Sequence, residues 1–173
     1  MKTRHIVLSG LFVALGLVLP FFTGQIPSIG NKLLPMHLPI FLCGFILGGP
    51  IGLAVGLITP ILRSVLFGMP PFYPVAIAMS LELATYGGLT GFLFKKLSKN
   101  TLNIYLSLVM AMIAGRIIWG VAMVVLLSIN GAAFTLKMFL SGALINSTPG
   151  LIAQIIIIPV LLISLRSANL LKQ

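Results

Sequence analysis

Three ionisable residues lie within strongly apolar segments, and they are the first candidates for a functional site. Glu82 is the only acidic residue among 173, and it is accompanied by Arg63 and Arg116. A charge in hydrocarbon is costly, so such residues mark functional sites by default. The loop 68–74 brings together the helix ends that carry Arg63 and Glu82, which makes Arg63 the nearest candidate partner for the carboxylate. One carboxylate neutralises only one guanidinium, and the remaining arginine is suited to an anionic ligand because its fork of donors matches carboxylate oxygens.

Glu82 and Arg63 also have purely structural explanations. Glu82 and one arginine would then form an ion-paired lock that fixes the register of two helices. Arg63, close to a helix end, would extend its guanidinium to water. Arg116 resists this explanation because it stands about 21 Å into its segment, at about 1.5 Å of rise per residue.

Further candidate binding residues are polar or aromatic side chains close to these charges or in the adjoining loops. Tyr86 and Trp119 stand one helical turn from Glu82 and Arg116, respectively. His37 is interpreted as an interfacial residue, with a ligand contact as the alternative. The chain has only one Trp and three Tyr, which are too few to build a cage that stacks on a large flat ring. The remaining candidates are Asn31, Lys32, Tyr73, Asn146 and Gln154.

Catalysis finds little support in the residues. A single carboxylate cannot form an acid/base pair, and no cluster of His, Asp and Glu is present to hold a metal. The sequence has no Gly-x-Ser-x-Gly elbow and no Walker loop, so the chain cannot drive transport with nucleotide by itself. Cys43 is the only cysteine, which leaves no disulfide framework. We therefore expect no cofactor and no metal.

The composition is that of an integral membrane protein. Hydrophobic residues make up 59% of the chain and charged residues 7%, and the mean hydropathy is +1.20. Lys and Arg exceed acidic residues by ten, but most of them flank apolar segments, so membrane topology explains them better than nucleic acid does. The sequence predicts one all-α membrane domain over residues 1–173, a compact bundle of six transmembrane helices. The predicted spans are 6–22, 37–48, 51–67, 75–94, 102–129 and 138–165.

The distribution of Lys and Arg predicts the orientation. Six spans put both termini on one side, and the positive-inside rule makes that side the cytoplasm. The split at Gly49-Pro50 matters here. One long helix in its place would leave five spans and put the cations after the fourth predicted span on the opposite side of the membrane from the N-terminal cations. The cations on the predicted inner side are Lys2, Arg4, Lys95, Lys96, Lys99, Arg166 and Lys172, against Lys32 and Lys137 outside.

Small residues recur every four positions and predict close helix packing. Gly44, Gly48, Gly52 and Gly56 form one row, and Gly87 with Gly91 repeats the spacing. Internal packing of the bundle explains these rows. The pair Gly10 and Ala14 differs, because it belongs to a terminal helix and is available to a partner subunit.

The chain resembles a substrate-binding S component of an energy-coupling factor (ECF) vitamin transporter. The resemblance extends over essentially the whole length, and its most specific part is the run MHLPIFLCGFILGGPIGLAVGLITPILRSVLFGMPPFYPVAIAMSLELATYG over 36–87. This run is similar to the pantothenate-type branch. Related members take folate, pyridoxine or pyrimidine precursors, so those vitamins are the alternatives.

The resemblance implies a mechanism and partners. The protein would lie in a bacterial plasma membrane and capture a vitamin from outside, under the loop between the first two spans. It would then dock on a membrane-embedded coupling subunit bound to two ATPase subunits, topple and release the vitamin inward. The docking face would be Gly10 and Ala14, with Gly where the family usually has Ala. For pantothenate, Arg63 or Arg116 would bind the carboxylate, and Glu82, Asn146 and Gln154 would meet hydroxyl and amide groups.

Two functions of other classes remain as alternatives. One is a small intramembrane enzyme acting on lipids or peptides, which the scarcity of acids and histidines disfavours. The other is a channel or solitary carrier, which would transport without ATPases.

Overall fold

The computed structural model describes residues 3–24, 30–97 and 100–168, and this part of the chain is helical without strands. Five helices are long and apolar enough to cross a membrane; four of them coincide with the predicted spans 6–22, 51–67, 75–94 and 102–129, and the fifth covers part of the last predicted span. Short 3-10 and π turns precede α2, α4 and α7. The α-helices are α1 (Thr3–Gly24), α2 (His37–Leu47), α3 (Gly49–Phe67), α4 (Ile77–Lys96), α5 (Thr101–Ile129), α6 (Leu136–Leu140) and α7 (Thr148–Ser167).

The second predicted span, 37–48, is shorter than a membrane crossing. The helix α2 has 11 residues, which gives about 17 Å of length at 1.5 Å per residue. It ends at Gly48, whose φ of +92° favours glycine, and whose N–H donates to the Gly44 carbonyl at 3.0 Å. The chain therefore breaks where the sequence predicts, one residue before Gly49-Pro50. Pro50 then occupies the first turn of α3, where its missing N–H costs nothing.

The sequence predicts that the last span, 138–165, is interrupted at Pro149-Gly150, but the interruption lies earlier. The structure divides it into α6, a π turn over Ser141–Ile145, and α7. Pro149 does not interrupt the membrane helix but lies in its first turn, the helical position that proline tolerates best. The membrane-crossing part is therefore Thr148–Ser167.

The long helices alternate in direction. Contacts between residues of different helices show that α1, α3 and α5 run one way, while α2, α4 and α7 run the other. The ends of α1 and α7 that are nearest the chain termini consequently lie at the same end of the bundle. The contacts that fix these directions are Gly16 with Thr59, Phe21 with Phe67, His37 with Glu82, Gly44 with Thr90, Gly56 with Leu83, Gly49 with Gly88, Glu82 with Arg116, Tyr86 with Gly115, Leu34 with Gln154, and Phe94 with Arg166.

Glycines let α2 and α3 approach α4 with almost no space between backbones. A Cβ atom added to Gly52 would lie 2.7 Å from the carbonyl carbon of Gly87 and 2.8 Å from the Cα of Gly44. Gly91 packs in the same way against Gly48 and Gly49. The predicted small-residue rows are therefore internal packing faces, as expected for helices that associate in lipid, except at Gly48, where an added Cβ would meet nothing within 4 Å.

Candidate functional site

Glu82 is the centre of a group of buried polar side chains. Its carboxylate, on a residue that is only 1% exposed, lies on α4 between α2 and α5. Tyr86, one turn further along α4, donates its hydroxyl to Glu82 Oε1 at 2.6 Å. Arg116 on α5 places Nη1 3.1 Å from the same oxygen. The spacing of four residues puts Glu82 and Tyr86 on one helical face, which the sequence predicts correctly.

His37 joins this group from the start of α2. The imidazole is 1% exposed, and its Nε2 lies 3.9 Å from Glu82 Oε1. Its ring centroid is 5.6 Å from that of Tyr86. Neither ring nitrogen has a hydrogen-bond partner in the described structure. Folding therefore buries His37 against the carboxylate at the start of α2.

Gln154 on α7 is buried and connects this helix to the loop before α2. Its amide nitrogen donates to the Leu34 carbonyl at 3.3 Å, while its Oε1 has no partner among the described groups. The same carbonyl accepts the backbone N–H of His37 at 3.0 Å. Gly150, one turn earlier, packs on the backbone of Lys32 and Leu33. We refer to His37, Glu82, Tyr86, Arg116 and Gln154 as the buried polar cluster.

The loop carbonyl of Leu34 is a site feature that the sequence does not reveal. Leu34 has a φ of +51°, which is unusual for a residue other than glycine. This conformation turns the backbone so that one oxygen accepts two hydrogen bonds. A leucine gives no signal of such a role, since the role belongs to the backbone.

Arg116 retains hydrogen-bonding capacity after it has paired with Glu82. Its Nε and Nη2 atoms are buried and have no partner in the described structure. These two donors share one edge of the planar guanidinium, the edge that binds a carboxylate through two parallel hydrogen bonds. Buried donors without partners cost free energy, which makes these two atoms the least satisfied donors of Arg116.

Arg63 lies outside the buried polar cluster and does not pair with Glu82, contrary to the prediction. Its guanidinium donates to the Leu17 carbonyl of α1 and stacks on two rings, with its carbon 4.7 Å from the centroid of Phe21 and 5.6 Å from that of Phe67. The side chain is buried, so it does not extend to water either. Arg63 therefore connects α1 to α3. The short loop between α3 and α4 predicts that Arg63 lies close to Glu82. In the structure, Glu82 lies instead on the face of α4 that contacts α2 and α5.

Two aromatic candidates are engaged away from Glu82. Tyr73 donates its hydroxyl to the Leu126 carbonyl and so attaches the turn before α4 to the end of α5. Trp119 packs against Phe134 and Phe139, with centroid distances of 5.8 Å and 6.2 Å. Tyr73 therefore makes a hydrogen bond, and Trp119 makes ring contacts, at a distance from Glu82.

Three polar candidates also have no described contact with the buried polar cluster. Asn146 is exposed, and its Nδ2 lies 3.5 Å from the Ser141 hydroxyl. Lys32 is exposed on the 3-10 turn Gly30–Leu33. Asn31 belongs to the same turn, but its side chain lies outside the described part of the structure.

The predicted docking pair lies on an open helix surface. Gly10 and Ala14 are both exposed on α1, and an atom added at the Cβ position of Gly10 would meet nothing within 4 Å. These small residues differ from Gly52 and Gly87, because neighbouring backbone fills the space where a Cβ atom of those two glycines would lie. The packing of the described bundle therefore leaves this face uncovered.

A separate apolar cavity of about 430 Å³ lies along the second half of α5. It does not include any residue of the buried polar cluster. Its walls are aliphatic and aromatic, which suits hydrocarbon rather than a polar nutrient. The lining residues are Ile117, Gly120, Val121, Val124, Val125, Phe134, Thr135, Leu136 and Phe139.

The chemistry of the buried polar cluster is that of binding. Glu82 accepts the Tyr86 hydroxyl and pairs with Arg116 through the same oxygen, Oε1. Among the described residues, no group of three or more His, Cys, Asp or Glu is placed to hold a metal ion. What the cluster offers is a set of fixed donors and acceptors beside an irregular loop. Such backbone is tolerated at membrane depth where it is covered by protein or lines a cavity.

A family model decides the class of protein. The model for the substrate-specific component of ECF transporters matches residues 4–163, nearly the whole chain. The chain belongs to the ECF transporter substrate-specific components. No curated protein and no solved structure matches it. As a member of this family, the ECF component is a membrane subunit that binds a small-molecule substrate for transport and is not an enzyme.

Proposed function

We propose that this ECF component binds a carboxylate-bearing vitamin, pantothenate first among the candidates, at the buried polar cluster. The observation that carries the proposal is the unoccupied edge of Arg116. Its Nε and Nη2 are buried donors without partners, beside a carboxylate that already holds Nη1. A ligand carboxylate on this edge would satisfy both donors in the geometry that guanidinium prefers.

Other groups of the cluster suit the polar remainder of such a vitamin. The free Oε1 of Gln154 accepts a hydroxyl or amide hydrogen, and the two nitrogens of His37 offer a further donor and acceptor. The aromatic rings do not form a stacking cage, because Tyr86 is itself stacked on Phe41 at 4.6 Å between centroids. A ligand without an aromatic ring fits this arrangement better than folate, pyridoxine or a pyrimidine precursor.

The proposal includes the transport partners. An ECF coupling subunit with two ATPase subunits would supply the energy, and Gly10 with Ala14 would form part of the docking face. The exposure of both residues and the open space at Gly10 support this assignment.

We also propose a bacterial plasma membrane location with both termini in the cytoplasm. The irregular segment 30–36 together with α2 would serve as the sixth crossing. Support comes from the alternating helix directions and from the charges at the ends of α4 and α7, where Lys95, Lys96 and Arg166 lie in the last turns. Three cations used for the prediction, Lys2, Lys99 and Lys172, lie outside the described residues.

The direct test is identification of the bound molecule. The ECF component would be purified from cells grown with the four vitamins, and native mass spectrometry would show any small molecule that remains bound. Titration calorimetry with sodium pantothenate then measures its affinity. Saturable one-to-one binding of pantothenate supports the proposal, and exclusive recovery of one of the ring-containing vitamins contradicts it.

A further inference from the structure

The charges of the buried polar cluster balance before any ligand enters. Glu82 is ionised, since it accepts the hydroxyl of Tyr86 and pairs with the guanidinium of Arg116. Tyr86 acts as a neutral phenol because it donates that hydrogen bond. One negative and one positive charge therefore cancel. A ligand carboxylate bound to Arg116 would add a second negative charge within a site shielded from water, which is costly unless a positive charge accompanies it.

His37 is the group of this cluster that can supply that charge. Its imidazole is buried, its Nε2 lies 3.9 Å from Glu82 Oε1, and both nitrogens have no hydrogen-bond partner in the described structure. A neutral imidazole gains a proton most readily when a second carboxylate arrives beside it.

The other groups around His37 do not compete for this role. Glu82 and Tyr86 face it from α4, Arg116 faces it from α5, and Gln154 on α7 is not titratable. Arg116 is already a cation. Protonation of Glu82 would break its pairing with the arginine and so leave the guanidinium charge without its partner.

We propose that His37 takes up one proton when an anionic vitamin binds, so that capture of the vitamin is coupled to proton uptake. This inference rests on the proposed function and adds a regulation of the same site. The complex then holds one more proton than the free protein. Affinity consequently increases as pH falls, by up to about tenfold per pH unit where His37 is neutral in the free protein and protonated in the complex.

Titration calorimetry with sodium pantothenate in buffers of different ionisation enthalpy tests the proposal near neutral pH. The dependence of the observed heat on buffer enthalpy gives the number of protons taken up. We expect a value near one for the natural protein, with a Kd that rises about tenfold from about pH 7 to about pH 8. His37→Gln should reduce proton uptake to near zero. His5→Gln is the matched control, because His5 is the other histidine and lies on α1, and it should leave proton uptake unchanged.

A spectroscopic measurement avoids dependence on a variant at the site. In tag-free His5→Gln protein, His37 is the only remaining histidine, so its imidazole nitrogen signals are assigned without further mutation. They should change from the neutral to the protonated pattern when pantothenate is added.

The possible outcomes separate the two proposals. Pantothenate binding without proton uptake, or with His37 still neutral in the complex, overturns the proton step and leaves the proposed function intact. Proton uptake that persists in His37→Gln overturns the assignment to His37. Absence of pantothenate binding in every buffer overturns the proposed function and the proton step with it.

Discussion

At the scale of single residues, the position of Arg116 matters more than its charge. The pair with Glu82 uses one nitrogen of the guanidinium and leaves the other edge without a partner. A salt bridge that served only to fix helix register would not need this second edge. In the proposed function a ligand carboxylate binds this edge, whereas an ion-paired lock leaves its two donors without partners.

Arg116→Lys should weaken pantothenate binding by about 10- to 100-fold, the loss expected when charge-assisted hydrogen bonds to a carboxylate are removed. Lysine keeps a positive charge for Glu82, so the protein should remain folded. Calorimetry measures the affinity, and the unfolding temperature in detergent checks the fold.

The matched control is Arg63→Lys, at the other buried arginine. Arg63 contacts α1 and two phenylalanine rings rather than the buried polar cluster, so this variant should bind pantothenate like the natural protein. Equal affinities of all three proteins would remove Arg116 from the binding site.

At the scale of helices, the position of the buried polar cluster depends on the contacts of α2 and α3 with α4. Gly44 and Gly52 lie directly on the backbone around Gly87, which brings His37 to Glu82 two turns away. Larger residues would separate these helices and the polar groups they carry.

Gly52→Ala should lower the free energy of unfolding by about 1–3 kcal/mol, the usual cost of inserting atoms into a well-packed interior. The new methyl group would collide with backbone, which has no alternative rotamer. Thermal unfolding in detergent, followed by the fluorescence of Trp119, measures the change.

Gly10→Ala is the control for helix propensity, since an atom added there meets nothing within 4 Å. This variant should be as stable as the natural protein or slightly more stable, because alanine favours a helix over glycine. Equal stability of both variants would contradict the close approach of α3 and α4.

At the scale of the whole molecule, one face of α1 remains available to a partner. Replacing both Gly10 and Ala14 with leucine should leave pantothenate binding unchanged and abolish uptake by vesicles that also contain the coupling subunit and the ATPases. Large side chains would prevent the close backbone approach that small residues allow. Ala54→Leu, on an exposed position of α3, is the control and should transport normally. Normal uptake by the double variant would rule out this docking face.

The orientation of the molecule has its own test. A cysteine in place of Lys95 should react with an impermeant maleimide only after the cells are opened, and one in place of Lys137 should react in intact cells. The natural protein supplies the background, because Cys43 is fully buried. Labelling of both positions from the same side would contradict the proposed topology.

The sequence by itself determined the class of the molecule. Hydropathy and the scarcity of charge require membrane helices, and the lengths of the apolar runs placed four of them closely. The resemblance to ECF substrate-binding components is confirmed by the family model over 4–163. The sequence also selected Glu82, Arg116, His37, Tyr86 and Gln154 as candidates, because polar side chains in an apolar chain are rare.

Only the tertiary structure decided which of these candidates meet. Local spacing suggested Arg63 for Glu82, but helix rotation and tilt are set by glycine contacts between distant segments, and these turn Glu82 toward Arg116 and His37. The Leu34 carbonyl likewise depends on a backbone conformation that residue types do not specify. Composition fixes what a chain must bury from water, whereas three-dimensional packing fixes which buried groups become neighbours.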